Sequence, residues 1–179
     1  MLEKIYTDLS DTIRIPSVGN CSYYLTFTYD FSRYTTVYLL RSKEDVCDKF
    51  IEFKALVENK FDRKIKKLRS DNGTEYKNHR FRQVTVEAGI EHEFTENATP
   101  EQNGVSERMN RAIGNSVRSV LIDSKLPVKY WTYAVQYVVQ MRNVSRNSAI
   151  GGKIPYEIWN GKDPDYNCFY PFGCDAIAY

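Results

Sequence analysis

The sequence predicts an α/β domain in which helices flank both faces of one mixed β-sheet. Three apolar or aromatic runs, at residues 4–9, 23–29 and 34–40, follow one another without an intervening helix and predict strands. Beyond them, helical patterns alternate with short strands, which is typical of parallel strands joined by crossover helices. Functional sites in such sheets lie at the carboxyl ends of the strands.

The first three strands are expected to form an antiparallel meander. Residues 4–9 are a short apolar run suited to a buried strand. Residues 23–29 alternate and are rich in aromatic and β-branched side chains, which strands favour. Residues 30–33 indicate a tight turn, and residues 34–40 provide the returning strand of a hairpin.

The remaining elements alternate between helix and strand. Apolar residues at helical spacing predict a helix over 43–60, which Ser42 and Asp45 would open as a capping box. A strand is expected at 64–69, a helix near 78–88 and a strand at 90–94. A polar loop through Gly104 then leads into a long helix, and a second long helix follows Pro127.

The C-terminal part of the chain has a different character. Residues from Gly151 onward are rich in Gly, Pro and aromatic side chains and are expected to be loop-like. We therefore divide the chain into a core at 1–150 and a loop-rich C-terminal extension of that core at 151–179.

Composition excludes several classes of protein. The chain has 179 residues, enough for one domain, and is 42% hydrophobic. It has neither an apolar run of membrane-spanning length nor a signal peptide, so an intracellular protein with no membrane partner is expected. Four cysteines without paired spacing and two histidines argue against a zinc site. The net charge of +2 says little about nucleic acid, although basic residues cluster at 63–69 and 108–118.

Three carboxylates lie where a strand ends or a helix begins, and they are candidates for a metal-binding site. Asp8 ends a buried strand, Asp71 follows a strand in an Asp-Asn-Gly turn, and Glu107 lies in a helix that also carries Asn110 and Arg111. Convergent carboxylates bind hard cations such as Mg²⁺. Taken singly, Asp71 also fits an ordinary turn, and Glu107 fits a surface ion pair with Arg111.

The motifs around these acids resemble the catalytic core of retroviral and retrotransposon integrases, specifically the copia-type elements. The most specific blocks are Leu68-Arg-Ser-Asp-Asn-Gly-Thr-Glu-Tyr76 and Thr99-Pro-Glu-Gln-Asn-Gly-Val-Ser-Glu-Arg-Met-Asn-Arg111. Further matches lie at residues 6–9, 24–33, 53–59, 155–159 and 172–174, so the resemblance covers nearly the whole chain in order.

The resemblance implies a ribonuclease-H-like fold, with a five-stranded mixed sheet made of the meander and two parallel strands. It assigns the family's catalytic, metal-binding triad to Asp8, Asp71 and Glu107 and keeps the 35-residue spacing between the last two. It also implies that Asn103, Asn110 and Arg111 contact the DNA ends of the element. The implied cofactor is a pair of Mg²⁺ or Mn²⁺ ions.

The implied reaction is DNA integration by a polynucleotidyl transferase, which trims the 3′ ends of retroelement DNA and joins them to target DNA. By the same resemblance the protein works as a homo-oligomer, in the nucleus for integration and in the cytoplasm before it. The family's zinc-binding and C-terminal DNA-binding parts are not in the sequence, so we expect a fragment of a retrotransposon polyprotein that holds no zinc.

Two other functions compete with integration. One is a catalytically silent relic or domesticated domain that binds DNA or protein. The other is a ribonuclease H or junction resolvase on the same fold. Those enzymes place a fourth acid near the site, and the nearest candidates, Asp30 and Glu75, stand in no such motif.

Overall fold

The computed structural model describes residues 2–95 and 100–175, and for residues 100–107 it describes the backbone alone. The strands in these residues are β1 Lys4–Leu9, β2 Tyr23–Tyr29, β3 Thr35–Leu40, β4 Lys67–Ser70 and β5 Glu91–Phe94. The α-helices are α1 Val46–Phe61, α2 Thr74–Lys77, α3 His79–Glu87, α4 Pro100–Ser124, α5 Trp131–Asn143 and α6 Pro155–Asn160.

One mixed sheet organises the domain. Its strand order is β3-β2-β1-β4-β5. The pairs β1–β2 and β2–β3 are antiparallel, as the predicted meander requires. The pairs β1–β4 and β4–β5 are parallel, since a helical connection precedes β4 and another precedes β5. The predicted five-stranded mixed sheet is therefore confirmed.

Hydrophobic clusters cover both faces of this sheet. Odd-numbered residues of β2, such as Phe27, pack with α1, where the rings of Phe27 and Phe53 stack with centroids 4.1 Å apart. The even-numbered Tyr24 packs on the other face with α4 and α5, against the buried side chains of Ile113 and Trp131. Because side chains alternate along a strand, β2 joins the two layers.

Several boundaries differ from the sequence prediction. Strand β4 begins at Lys67 rather than at residue 64, because the Ile65 amide donates to Glu58 Oε1 (3.0 Å) instead of to a neighbouring strand. The helix expected near 78–88 is α3, which Asn78 caps by accepting from the Phe81 amide (2.8 Å), and the short helix α2 before it was not predicted. Helix α4 begins at Pro100, inside the predicted loop, because proline loses no hydrogen bond in a first turn.

The C-terminal tail is not only loop. Helix α6 interrupts it, and Trp159 at the end of that helix is 7% exposed. The indole ring lies 4.0 Å from the Tyr29 ring, 4.8 Å from the Tyr34 ring and 4.4 Å from the Phe61 ring, measured between centroids. Short helices of this kind were not evident in a stretch rich in Gly and Pro, and their stability comes from this tertiary contact.

No helix in the described parts of the chain is both long and apolar enough to span a bilayer. The longest, α4, has 25 residues but carries Arg108, Arg111, Arg118 and Asp123.

Replacing Trp159 by alanine tests whether the tail belongs to the folded core. We expect Trp159→Ala to lower the free energy of unfolding by about 3–5 kcal/mol, because it removes a buried aromatic side chain. Urea denaturation measures this change. Ile122→Ala, at a side chain that is 76% exposed, is the control and should change stability by less than about 0.5 kcal/mol. Equal effects of the two substitutions would contradict the account.

Candidate active site

The pairing of β1 with β4 sets two of the predicted acids side by side. Tyr6 of β1 stands opposite Arg69 of β4 in a parallel ladder. Continuing that register by two residues sets Asp8 level with Asp71, which directly follows β4. Neighbouring strands lie about 4.8 Å apart. Both acids line one groove at the carboxyl end of the strands, where sites in α/β sheets are expected.

The turn that carries Asp71 is held in place from two directions. Asp71 Oδ1 accepts the Gly73 amide (3.0 Å), which closes a turn around its own side chain. Asn72 Nδ2 donates to the Thr95 carbonyl (2.7 Å), and the Thr95 amide donates to the Ser70 carbonyl (3.0 Å). These hydrogen bonds join the turn to Thr95, the residue that follows β5, and limit how far the Asp71 carboxylate can move.

Asn110 of α4 reaches across to Asp8. Its Nδ2 donates to Asp8 Oδ2 (2.8 Å). The Thr26 hydroxyl on β2 lies within hydrogen-bonding distance of both Asn110 Oδ1 (3.4 Å) and the Asp8 carbonyl (3.2 Å). Asn110, for which the family resemblance implies DNA contact, is therefore hydrogen-bonded to a predicted catalytic acid on the wall of the same groove.

Tyr24 adds a second link between β2 and α4. Its hydroxyl donates to the Asn110 carbonyl (3.5 Å). Burial, together with the nearby charges of Asp8 and Asp11, raises the pKa of Tyr24 to about 12. The hydroxyl therefore stays protonated at neutral pH and can serve as a donor. Tyr24 was predicted only as a strand residue.

The groove combines both signs of charge. Its volume is about 680 Å³. Asp8, Asp11 and Asp71 supply negative charge, whereas Arg111 and Arg118 of α4 supply positive charge. Such a mixture suits a ligand that is itself anionic but is bound together with a cation, because the acids alone would repel it. A phosphodiester with a divalent metal has this character.

The residues that directly precede Asp8 and Asp71 each make a side-chain hydrogen bond. Thr7, which precedes Asp8, is hydrogen-bonded through Oγ1 to the Tyr76 hydroxyl (3.1 Å). Ser70, which precedes Asp71, is hydrogen-bonded through Oγ to His92 Nε2 (2.9 Å). Burial raises the pKa of Tyr76 well above its ordinary value and lowers the pKa of His92 to about 4. Both side chains are therefore neutral near pH 7.

The third predicted acid lies where the structure describes only the backbone. Glu107 and Asn103 belong to α4, but their side chains are outside the described residues. Glu107 precedes Asn110 by three residues, which is about one helical turn. Arg111 lines the groove, and its contact with DNA stays a prediction. The structure thus brings together Asp8, Asp71, Asn110 and Arg111.

The described donors fit a hard cation. Asp8 and Asp71 offer carboxylate oxygens in one groove, and Mg²⁺ is commonly bound by one or two carboxylates with substrate phosphates and water. Within the described residues, no group of three His, Cys, Asp or Glu side chains is arranged to hold a metal ion. A third ligand from this chain would therefore come from a side chain outside them, and the side chain of Glu107 on α4 is one of those.

Sequence reasoning overlooked the residues that hold the acids. Thr26 and Tyr24 were seen only as strand formers, and Tyr76 and His92 were given no role. The sequence does contain one signal for Thr26, a polar residue within a strand of aromatic and apolar residues. In the structure its side chain is 2% exposed. A buried hydroxyl of that kind needs a partner.

The sequence of the chain is similar to integrase sequences. Residues 2–100 match the family described as Integrase core domain. Over 179 residues, its full length, the chain is 41% identical to the Retrovirus-related Pol polyprotein from transposon TNT 1-94 of Nicotiana tabacum. The chain spans only 12% to 14% of the length of the curated relatives it matches.

Solved structures share the fold at low identity. The HTLV-2 integrase catalytic core domain, described in complex with magnesium in a trimeric form, aligns with a TM-score of 0.64 at 18% identity over 88% of this chain and 95% of that one. A chain of a simian T-cell lymphotropic virus intasome, in complex with the PP2A regulatory subunit B56 gamma, aligns with a TM-score of 0.70 at 12% identity over 99% and 60%. The expected ribonuclease-H-like fold is confirmed.

The depressed pKa of His92 predicts a pH dependence of stability. In the unfolded chain His92 binds a proton near pH 6.5. In the folded chain its pKa is about 4, so it stays neutral until the pH falls to that value. Stability contributed by neutral His92 is therefore lost as the pH falls from 6.5 towards 4, by up to about 3 kcal/mol. Urea denaturation across this range should show a shallower decline for His92→Gln than for wild type. Parallel curves for the two proteins would rule this contribution out.

Proposed function

The chain belongs to the integrase core domain family, and we propose that it carries out the metal-dependent strand chemistry of DNA integration. The observation that carries the proposal is the placement of Asp8 and Asp71 at the ends of paired strands, in one groove with Asn110 and Arg111. A groove of this composition suits a phosphodiester of DNA.

In this proposal Asp8, Asp71 and Glu107 hold two Mg²⁺ or Mn²⁺ ions. Such ions, when bound, lower the pKa of a hydroxyl and neutralise charge on the reacting phosphate. The hydrogen bond from Asn110 Nδ2 orients the Asp8 carboxylate (2.8 Å), and the turn around Gly73 orients Asp71. Arg111 lines the same groove and would contact a phosphate next to the reacting one.

The same groove would serve two successive reactions. In the first, a water oxygen attacks phosphorus and the P–O3′ bond breaks. The departing 3′ nucleotide keeps the phosphate, and O3′ takes up a proton to leave a free 3′-hydroxyl on the element DNA. In the second, that hydroxyl attacks a phosphodiester of target DNA, and one new bond replaces one old bond. Neither reaction requires a covalent intermediate with the protein, because the incoming oxygen displaces the leaving oxygen directly.

The proposed partners are the DNA ends of the element, target DNA and further copies of the chain. Two observations on other proteins support an assembly, since one structural neighbour is described as trimeric and the other as part of an intasome. The likeness to Pol polyproteins supports a role as the core of a longer retrotransposon protein. Joining to chromosomal DNA would take place in the nucleus, after an earlier stage in the cytoplasm.

The activity is tested on a Y-shaped DNA that mimics the joined product. We expect purified wild type to resolve this DNA in Mn²⁺ or Mg²⁺, and we expect Asp71→Asn to lower the rate by at least about 100-fold through lost charge stabilisation. An asparagine at this position can still accept the Gly73 amide, so the turn should survive. Asp123→Asn, at an exposed acid on α4, is the matched control. Equal rates for wild type and Asp71→Asn would contradict the proposal.

Metal binding gives a second test that does not depend on activity and that separates an active core from a catalytically silent domain. A cation that binds only the folded chain raises the melting temperature, by about 3–6 °C at a concentration ten times its Kd. We expect Mn²⁺ to produce this rise in wild type and a smaller one in Glu107→Gln. If Mn²⁺ moved neither melting temperature, the silent alternative would gain support over metal-dependent catalysis.

A further inference from the structure

A second cavity lies on the face of the sheet opposite to Asp8. Its volume is about 380 Å³, and residues of α2, α3 and β5 line it. The ring of His92, one of these residues, lies 5.4 Å from the ring of Phe81 between centroids, and Phe81 belongs to the hydrophobic cluster that packs with α1. Ile5 of β1 belongs to the same cluster, and Asp8 stands three positions further along the strand, so its side chain points to the other face. The cavity is therefore separate from the groove that the aspartates line.

The buried polar side chains of the cavity wall already have partners within the protein. The Tyr76 hydroxyl is hydrogen-bonded to Thr7 Oγ1 (3.1 Å), and His92 Nε2 is hydrogen-bonded to Ser70 Oγ (2.9 Å). Tyr76 and His92 are both neutral near pH 7, as described above. They therefore bring no charge to the cavity, and the other side chains that line it decide which ligand it prefers.

Apolar side chains at this cavity reach the surface. Val86 of α3 and Phe94 of β5 both line it and are both exposed. The Phe94 ring lies 4.1 Å from the His92 ring between centroids, with the two planes tilted by 34°. Exposed apolar side chains that share a cavity favour an apolar ligand. An aromatic ring can pack against Phe94 in the offset or edge-on arrangement that aromatic pairs prefer.

Two cations lie beside this apolar surface. Lys77 Nζ lies 5.7 Å from the centroid of the Phe94 ring, and Arg82 lines the cavity from α3. Neither cation forms an ion pair with a carboxylate of the described residues, whereas Arg80 on the same helix pairs with Asp48. A guanidinium group matches a planar carboxylate with two parallel hydrogen bonds, and an ammonium group adds a further donor. The charged side of the cavity therefore suits a carboxylate.

We propose that this cavity is a binding site for a small aromatic carboxylate. The ring packs against Phe94, and the carboxylate binds Lys77 and Arg82. A volume of about 380 Å³ is near the lower end of the range for ligand pockets, which suits a ligand of one or two rings. The bound ligand would contact Tyr76 and His92, the side chains that are hydrogen-bonded to the residues preceding the two aspartates. The site goes beyond the proposed DNA chemistry and does not depend on it.

Titration with 2-naphthoate, a two-ring carboxylate, tests the site. We expect wild type to bind it with a Kd on the order of 1 mM, as a ligand of this size allows. Proton–nitrogen correlation spectra should show saturable shifts of the backbone amides of Lys77, Arg82 and Phe94. Lys77→Gln/Arg82→Gln should weaken binding by about tenfold, because each exposed cation contributes a few-fold. Phe94→Ala should also weaken it, by at least about threefold, through loss of the ring contact.

Lys49→Gln/Arg80→Gln is the matched control, because it removes the same two charges from described positions that do not line the cavity. It should bind 2-naphthoate as wild type does, and the amide spectrum of each variant shows whether it is folded. Equal losses of affinity in the two double variants would overturn the site, since they would show a general effect of charge.

Two further results would overturn the site. One is shifts confined to the groove around Asn110 and Arg111, and the other is no binding by wild type at ten times the expected Kd. The Y-shaped DNA assay is separate from this titration. If wild type bound 2-naphthoate in the cavity but did not resolve the DNA, the proposed function alone would fail.

Discussion

The parallel pairing of β1 with β4 is the constraint on which the rest of the site depends. Asp8 and Asp71 are 63 positions apart in sequence, and only the register Tyr6 opposite Arg69 brings them level. A shift of one residue would turn one carboxylate to the other face of the sheet. The hydrophobic cluster that packs with α1 opposes such a shift, because the shift would also remove Ile5 or Leu68 from that cluster.

Uncharged hydrogen-bonding groups position Asp8 and Asp71. Asn110 contacts Asp8 from the helix layer, the Gly73 turn holds Asp71, and the Thr7–Tyr76 and Ser70–His92 pairs lie behind both strands. Burial keeps Tyr76 and His92 uncharged at neutral pH. The supporting groups therefore fix the positions of the carboxylates without carrying charge themselves.

The sequence was informative about local structure and about which acids to consider. Runs of apolar, aromatic and β-branched residues located β1 to β3, and the Asp-Asn-Gly turn marked Asp71, because both signals depend on neighbouring residues. The contacts that complete the site are not local. Asn110 meets Asp8 across 102 positions, and His92 meets Ser70 across 22, so no spacing rule could pair them. Helix α6 escaped prediction for the same reason, since its stability depends on the distant Tyr29 and Tyr34.

The central claim is that Asp8 and Asp71 act as one cation site. Electron paramagnetic resonance of Mn²⁺ titrated into wild type, Asp8→Asn, Asp71→Asn and the double variant tests it directly. If the two carboxylates share bound metal, each single substitution weakens Mn²⁺ binding and the two losses in binding free energy are not additive. Equal Mn²⁺ affinity in all four proteins would contradict the claim.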